Sequence, residues 1–160
     1  MAASATAGKA NAASTKKVES INMDSKYSVS NIASIAPKMD SRVLKAYKKL
    51  GFTVTIDPSV NYGGCFNAHS RSIILRFENE TIYHELGHFL AFVAGNVDRT
   101  SDFAAVYNSE KSKFTGINRS YATQNSSEYF AESVLEYVTS PSTLKRQRPK
   151  NVCSDRGGSE

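Results

Sequence analysis

The stretch TIYHELGHFL, residues 81–90, places two histidines four positions apart, with a glutamate directly after the first. Residues i and i+4 share one face of an α-helix, so His84 and His88 can direct their imidazole rings at one ion. Glu85 then lies beside that ion. The pattern His-Glu-x-x-His on a helix is typical of zinc peptidases, in which the glutamate activates water and does not bind the metal. The spacing therefore predicts a zinc-binding helix.

An amphipathic helix with two inward-facing histidines would explain the same pattern without a metal. Five apolar residues in and just after the stretch predict that the helix is buried: Ile82, Leu86, Phe89, Leu90 and Phe92. Two imidazoles without partners would be costly in such surroundings, because a buried polar group needs a hydrogen bond or a metal. The apolar neighbours therefore favour the metal site over the alternative.

A catalytic zinc site has three protein ligands and one open position, so a third ligand must come from elsewhere in the chain. Cys65 and Cys153 do not stand at ligand-like spacings from the motif, and His69 falls in a predicted turn. The segment SSEYFAESVLEYV, residues 126–138, offers three carboxylates at steps of four: Glu128, Glu132 and Glu136. Such a stripe is usually solvated, but its apolar neighbours indicate that one end turns inward toward a cation.

Short strand patterns come before the motif. A helical repeat in PKMDSRVLKAYKKLG, residues 37–51, ends at Gly51, and FTVTI, residues 52–56, alternates like a strand. The stretch NYGGCFNAHSRSIILRF, residues 61–77, predicts a hairpin that turns at residues 67–70.

Helical patterns follow the hairpin. The motif helix is expected to stop near residues 95–96, and two further helices are expected over residues 101–114 and 126–139. Strands followed by helices predict an α+β domain.

The chain of 160 residues has the length of one domain. Residues 1–36 are rich in Ala, Ser, Lys and Asn, which predicts a disordered leader or linker; a pro-segment or delivery signal is the alternative. Residues 37–150 are predicted to form the domain, and residues 151–160 a flexible basic and polar tail.

The net charge of +5 is modest, and the basic run LKRQRPK, residues 144–150, contains no interleaved aromatic residues. A solvated basic segment is therefore favoured over a nucleic-acid patch, and no nucleic-acid partner is expected. No apolar run approaches membrane-spanning length, and the N-terminus lacks the apolar core of a secretory signal. The two cysteines allow at most one internal disulfide.

Two motifs together carry a family resemblance. HELGH at residues 84–88 and YATQNSSEYFAE at residues 121–132 resemble the catalytic core of the anthrax lethal factor-like zinc metallopeptidases, which include the Pro-Pro endopeptidases. The resemblance covers roughly residues 40–150. It implies a gluzincin-type fold: a small mixed sheet with a β-hairpin edge, packed on a zinc-binding helical core.

The resemblance also implies roles for individual residues. One Zn²⁺ would be held by His84, His88 and Glu128, the glutamate that stands seven residues after Tyr121. Glu85 would act as general base, and Tyr121 would donate a hydrogen bond to the oxyanion, with a core tyrosine as its alternative.

Two further assignments concern the surroundings of the metal. Glu132 would accept a hydrogen bond from the far ring nitrogen of a zinc-bound histidine, with His84 as the favoured partner; a surface carboxylate is the alternative. The substrate, an extended protein or peptide, would add to a strand edge drawn from residues 63–66, with Gly63 and Gly64, or from residues 73–77.

The implied activity is that of a zinc-dependent endopeptidase that acts, as a monomer, outside the producing cell or after delivery to a target cell. Two alternatives stay open. One is a zinc-binding, catalytically silent structural or interaction module, although such a module would need neither Glu85 nor Tyr121. The other is a toxin domain that its leader holds inactive.

Overall fold

A computed structural model describes residues 25–153, apart from the side chains of residues 152 and 153. The described chain has four strands: β1 (Tyr27–Val29), β2 (Thr53–Ile56), β3 (Gly64–Asn67) and β4 (Ser72–Leu75). The first helices are α1 (Ile32–Ile35), α2 (Ser41–Lys49) and α3 (Thr81–Val93). They are followed by α4 (Ser101–Glu110), α5 (Arg119–Ala122), α6 (Ser126–Thr139), α7 (Pro141–Gln147) and α8 (Pro149–Cys153). Short 3₁₀ helices span Val97–Arg99 and Lys111–Lys113.

The four strands form one mixed sheet in the order β1-β2-β4-β3. Strand β2 pairs antiparallel with β1 and parallel with β4, and β4 pairs antiparallel with β3 to complete the predicted hairpin. Strand β4 is therefore interior, whereas β3 is an edge. Of the two sheet edges proposed for substrate, the one at residues 73–77 is wrong because both sides of β4 are already paired.

One face of the sheet packs against α2 and α3. Period-two alternation buries Val54 and Ile56 of β2, and Ile73 and Leu75 of β4, on this face. Three apolar residues of α3 are completely buried in the same core: Ile82, Leu86 and Phe89. Burial of each such side chain stabilises the fold by about 1.5–3 kcal/mol. The core therefore fixes α3 along the sheet, which orients its polar residues.

The predicted helices are present with small differences at their ends. Helix α3 ends at Val93 and is followed by Gly95, whose φ of 77° no other residue type adopts as readily. The helix expected over residues 101–114 ends at Glu110 and continues as a 3₁₀ turn to Lys113. The helix over residues 126–139 has the predicted bounds. The predicted fold class, α+β with a small mixed sheet, is confirmed.

The fold extends beyond the predicted domain bounds at both ends. Strand β1 pairs with β2, and Ala36 is completely buried, so the described end of the predicted leader belongs to the domain. This part could not be predicted from the sequence, because a strand of three residues and a single helical turn are too short to show a hydrophobic periodicity. At the other end, the side chain of Asn151 in helix α8 donates hydrogen bonds to Glu110 of α4 and to the hydroxyl of Tyr129 in α6. The rest of the leader and tail predictions lies outside the described residues.

Among residues 25–153, every helix is too short or too polar to cross a lipid bilayer.

Candidate metal and catalytic site

Helix α3 holds the His-Glu-x-x-His motif in the interior of the domain. The side chains of His84 and Glu85 are almost completely buried, with 5% and 4% of their surfaces exposed. His88, one turn later, is half-buried. The apolar face of α3 packs on the sheet, so the motif face is directed at α6 and β3. The motif therefore occupies a setting in which polar groups require partners.

Helix α6 supplies those partners from close range. Its first turn is capped by Asn125, whose side chain accepts a hydrogen bond from the backbone N–H of Glu128. Gly87 lies directly against Ala131, since a Cβ built on Gly87 would be 2.7 Å from the Ala131 Cα. A larger residue at position 87 would push the helices apart. The glycine between the two histidines thus brings the carboxylates of α6 to the motif.

The two imidazoles converge on one carboxylate oxygen. Oε2 of Glu128 lies 3.0 Å from Nε2 of His84 and 3.5 Å from Nε2 of His88. One potential ligand atom from each of these residues lies within 4.8 Å of the others. In a tetrahedral zinc site with bonds of about 2.1 Å, neighbouring ligand atoms are about 3.4 Å apart. The donor types and their spacing therefore fit a zinc ion.

The other nitrogen of His84 is held by a second carboxylate. Nδ1 of His84 donates to Oε2 of Glu132 at 2.9 Å, and the Glu132 side chain is only 18% exposed. The alternative that Glu132 is a surface carboxylate is therefore wrong. This hydrogen bond fixes the ring and leaves Nε2 as the nitrogen directed at the candidate metal position.

The same contacts shift the pKa values of the metal-free groups. Burial lowers the pKa of His84, but hydrogen bonds to Glu128 and Glu132 outweigh burial and raise it to about 9. Burial raises the pKa of Glu128, but hydrogen bonds from His84 and His88 outweigh it and hold the pKa well below its usual range. The carboxylates therefore stabilise the charged form of His84, an arrangement in which a divalent cation can replace the proton on Nε2 of this ring.

Glu85 lies between α3 and the edge strand β3. Burial raises the pKa of its carboxyl, although the charges of His84 and His88 and the backbone N–H of Phe66 oppose this effect. A Cβ built on Gly64 would lie 2.6 Å from Oε1 of Glu85. The edge strand therefore approaches the carboxylate as closely as a residue without a side chain allows.

Tyr121 lies at the opening of the site. Its ring centroid is 5.9 Å from that of His84, and 52% of its surface is exposed. Burial of the hydroxyl end and the neighbouring carboxylate of Glu128 raise the pKa of the phenol above its usual range. The alternative that Tyr121 is a core residue is wrong, and the hydroxyl stays protonated and able to donate.

Comparison with known protein families identifies the family to which the chain belongs. The sequence model described as anthrax toxin lethal factor, N- and C-terminal domain, matches residues 67–151, slightly more than half of the chain. The chain belongs to the anthrax lethal factor domain family. It is a lethal factor-like metallopeptidase domain, as the resemblance of the two motifs predicted. No curated protein matches the sequence.

A solved structure shows the same fold. The Pro-Pro endopeptidase of Paenibacillus alvei superposes on the lethal factor-like domain with a TM-score of 0.61 and 18% sequence identity. The match covers 78% of this chain and 89% of the endopeptidase chain.

The edge strand of the lethal factor-like domain lies beside the candidate site. Gly64 begins β3, and Gly63 accepts a hydrogen bond from the backbone N–H of Arg76. Among the described strands, β3 pairs on one side only. The glycines predicted to contact substrate therefore lie at an open edge next to Glu85. His69, the least favoured ligand candidate, is exposed in the turn that follows β3.

Three buried charged residues of the lethal factor-like domain were not predicted from the sequence: Asp98, Glu110 and Arg148. Asp98, only 4% exposed, accepts a hydrogen bond from Ser127, the residue before Glu128. No local pattern marks it, because it lies in the 3₁₀ helix Val97–Arg99, which is too short to show a periodicity. Arg148 is completely buried, although it stands in the basic run that was predicted to be solvated. A basic run gives no sign of which member turns inward.

Proposed function

We propose that the protein is a zinc-dependent endopeptidase that hydrolyses peptide bonds of an extended polypeptide. The convergence of His84, His88 and Glu128, with Glu85 buried beside them, carries this proposal. Two imidazole nitrogens and one carboxylate oxygen are a catalytic zinc set that leaves one position open. When bound, zinc would supply Lewis acidity, which polarises a peptide carbonyl and makes water more acidic.

Glu85 performs the proton transfers. A carboxylate oxygen of Glu85 takes a proton from the attacking water, whose oxygen forms the new bond to the peptide carbon. As the carbon–nitrogen bond breaks, the protonated Glu85 carboxyl gives that proton to the leaving amine. Burial raises the pKa of the Glu85 carboxyl above its usual value, and a more basic carboxylate is a better acceptor for the proton of water.

Tyr121 and Glu132 support the reaction from two sides. The Tyr121 hydroxyl donates a hydrogen bond to the carbonyl oxygen as negative charge develops on it. Glu132 holds the Nδ1–H of His84 and so keeps the ring in one orientation. A module that only binds metal would need neither Glu85 nor Tyr121, which is why enzyme activity is favoured over a catalytically silent role.

The substrate binds along β3 as an added strand. The open side of β3 provides backbone hydrogen-bonding groups, and residues 63–64 lack side chains that would obstruct a peptide. An open cavity of about 440 Å³ adjoins Glu132 and is lined in part by Asn79, Thr81 and Ile117. This cavity can receive substrate side chains. Family membership alone supports the expectation that the enzyme acts outside the producing cell or inside a target cell.

Cleavage of a diverse peptide library tests the proposal. The library includes Pro-Pro-containing members, because the similar structure is named for that activity. We expect cleavage by the zinc-loaded protein, loss of cleavage with a chelator, and recovery on return of zinc. Stoichiometric zinc without cleavage of any peptide would contradict the proposal and favour the silent module. Cleavage that emerges only after removal of residues 1–24 would favour the domain held inactive by its leader.

A further inference from the structure

The guanidinium of Arg148 is enclosed by aromatic and polar partners. Its Cζ lies over the rings of Phe114 and Tyr129, at 4.8 Å and 4.9 Å from the two ring centroids. Nη1 donates to Oγ of Ser133 at 3.2 Å, and Nη2 donates to the carboxylate of Glu136. The whole residue has 0% of its surface exposed. A cation buried so completely contributes to the fold only through these partners.

These partners lie on α6 and at the start of the segment that leads to Tyr121. Three of them lie on α6, the helix of Glu128 and Glu132: Tyr129, Ser133 and Glu136. The fourth, Phe114, begins the segment 114–118, which leads directly into α5 and Tyr121. Arg148 therefore joins the segment that ends at Tyr121 to the helix that presents Glu128.

Further contacts bind segment 114–118 to the same place. Oγ1 of Thr115 donates to Oε1 of Gln147, the neighbour of Arg148, at 3.1 Å. Gly116 folds over the Phe114 ring, since a Cβ built on it would lie 2.6 Å from the ring. Residues 147–148 thus hold the segment at two successive residues, Phe114 and Thr115.

The element that depends on these contacts has little stability of its own. Helix α5 has four residues and no side-chain cap, and Ile117 before it is fully exposed. Segments with few buried contacts open locally at low cost, so their position is set by whatever anchors them. Tyr121, half exposed at the rim, is held on its C-terminal side by the buried Ala122 and by the hydrogen bond from the Tyr107 hydroxyl to the Thr123 carbonyl, and on its N-terminal side by segment 114–118.

We propose that Arg148 is a positioning residue: it fixes segment 114–121 against α6 and so holds the Tyr121 hydroxyl beside Glu128. Its catalytic consequence rests on the proposed peptidase function. The planar guanidinium can lie over both rings while it donates to two oxygens, whereas the ammonium of lysine is a compact point charge without this planar arrangement of donors. Arg148→Lys therefore keeps the buried positive charge and removes the link between segment 114–121 and α6.

Three variants separate this role from a merely structural one. Arg148→Lys loses the planar guanidinium, with its paired hydrogen bonds to Ser133 and Glu136. Thr115→Val loses only the exposed hydrogen bond to Gln147. The control is Asn151→Ala, which removes hydrogen bonds to Glu110 and to the Tyr129 hydroxyl but leaves segment 114–118 untouched. Hydrogen exchange of residues 115–123 in the metal-free full chain gives a readout that does not depend on activity.

We expect Arg148→Lys to raise exchange in residues 115–123 about tenfold above wild type, since an unanchored segment opens more often. With zinc, kcat should fall about tenfold with KM within a few-fold, because displacement of one catalytic group acts mainly on turnover. Thr115→Val should show the same pattern more weakly with an unchanged melting temperature. Asn151→Ala should lower the melting temperature and leave local exchange and kcat within about twofold.

Equal local exchange in Arg148→Lys and Asn151→Ala would overturn the proposal. A kcat that follows melting temperature in all variants would also overturn it. If Arg148→Lys does not fold, Thr115→Val decides alone, and unchanged exchange and kcat in that variant refute the coupling. Absence of peptidase activity in the wild type would refute the proposed function, while the exchange result would still decide whether Arg148 anchors the segment.

Discussion

Oε2 of Glu132 accepts a hydrogen bond from Nδ1 of His84 at 2.9 Å, on the side of the ring opposite the candidate metal position. Glu128, one helical turn earlier, lies on the metal side, 3.0 Å from Nε2 of the same ring. Periodicity alone places both carboxylates on one helix face. In the structure, Glu132 contacts Nδ1 of His84 and Glu128 contacts Nε2 of the same ring. Removal of one carboxylate should therefore have a different effect from removal of the other.

Replacement of Glu128 by Ala is expected to abolish stoichiometric zinc, because only His84 and His88 would remain as ligands. Replacement of Glu132 by Ala removes a partner of a ligand, which typically weakens metal affinity or activity by about 10 to 100-fold. Glu132→Ala should therefore retain zinc at saturating metal. Metal analysis of the two purified variants is the measurement, and each serves as the other's control. A zinc-free Glu132→Ala beside a zinc-loaded Glu128→Ala would reverse the assignment.

Tyr121→Phe deletes one hydroxyl and leaves the ring. Loss of an oxyanion donor typically lowers turnover by about 10²-fold, so kcat of the zinc-loaded variant should fall by that order. The residue is 52% exposed, so the melting temperature should move little. Kinetics and thermal unfolding of the same preparation provide the check. Unchanged turnover with lowered stability would assign Tyr121 a structural role.

Gly64→Ala tests the close approach of β3 to Glu85. The new methyl group would meet Oε1 of Glu85 at 2.6 Å and Cγ2 of Thr81 at 2.9 Å, so the carboxylate must move. A displacement near 1 Å can reduce turnover by about 10²-fold, whereas the metal ligands are not touched. The matched control is Gly63→Ala, whose methyl group would meet Thr81 at an ordinary 3.9 Å. Zinc content and kcat are measured for both, and equal turnover in the two variants would contradict the expectation.

The sequence predicted the motif helix and the paired glutamates because their spacing is local. The apolar face of α3 and the four-residue step from Glu128 to Glu132 each depend only on residues within one short segment of the sequence. Which carboxylate meets which nitrogen depends on how α6 crosses α3, and the small pair Gly87 and Ala131 sets that crossing. No single-sequence periodicity contains this packing.

Other parts of the fold could not be predicted because they depend on distant partners. Strand β1 has three residues and is defined by its pairing with β2. The burial of Arg148 depends on Phe114 and Tyr129, which arrive from other elements. Glu136 continues the acidic stripe of α6 but pairs with Arg148 and not with a metal. Of the three carboxylates in the stripe, Glu128 and Glu132 thus contact His84, and Glu136 contacts Arg148.

The raised pKa of His84 predicts how the stability of metal-free protein depends on pH. The folded-state pKa of about 9 exceeds the ordinary value of 6.5, so this group contributes stability that is complete below about pH 6.5. That contribution is lost as the pH rises through about 9. Denaturant unfolding of chelated protein should therefore show decreasing stability across this window.

The control for this pH dependence is Glu132→Gln, which removes one of the charges that raise the His84 pKa. Its stability should decrease less over the same pH range. A metal-free wild-type protein that becomes more stable between these pH values, relative to Glu132→Gln, would contradict the assignment.

The turnover of zinc-loaded Glu85→Gln tests the central claim most directly. The amide has nearly the shape of the carboxylate but cannot accept the proton of water, and Glu85 is not among the three candidate metal ligands. We predict one zinc per chain, an unchanged fold by circular dichroism, and cleavage of the best library peptide reduced by at least about 10²-fold. Cleavage by Glu85→Gln within a few-fold of wild type, at equal zinc content, would contradict the account.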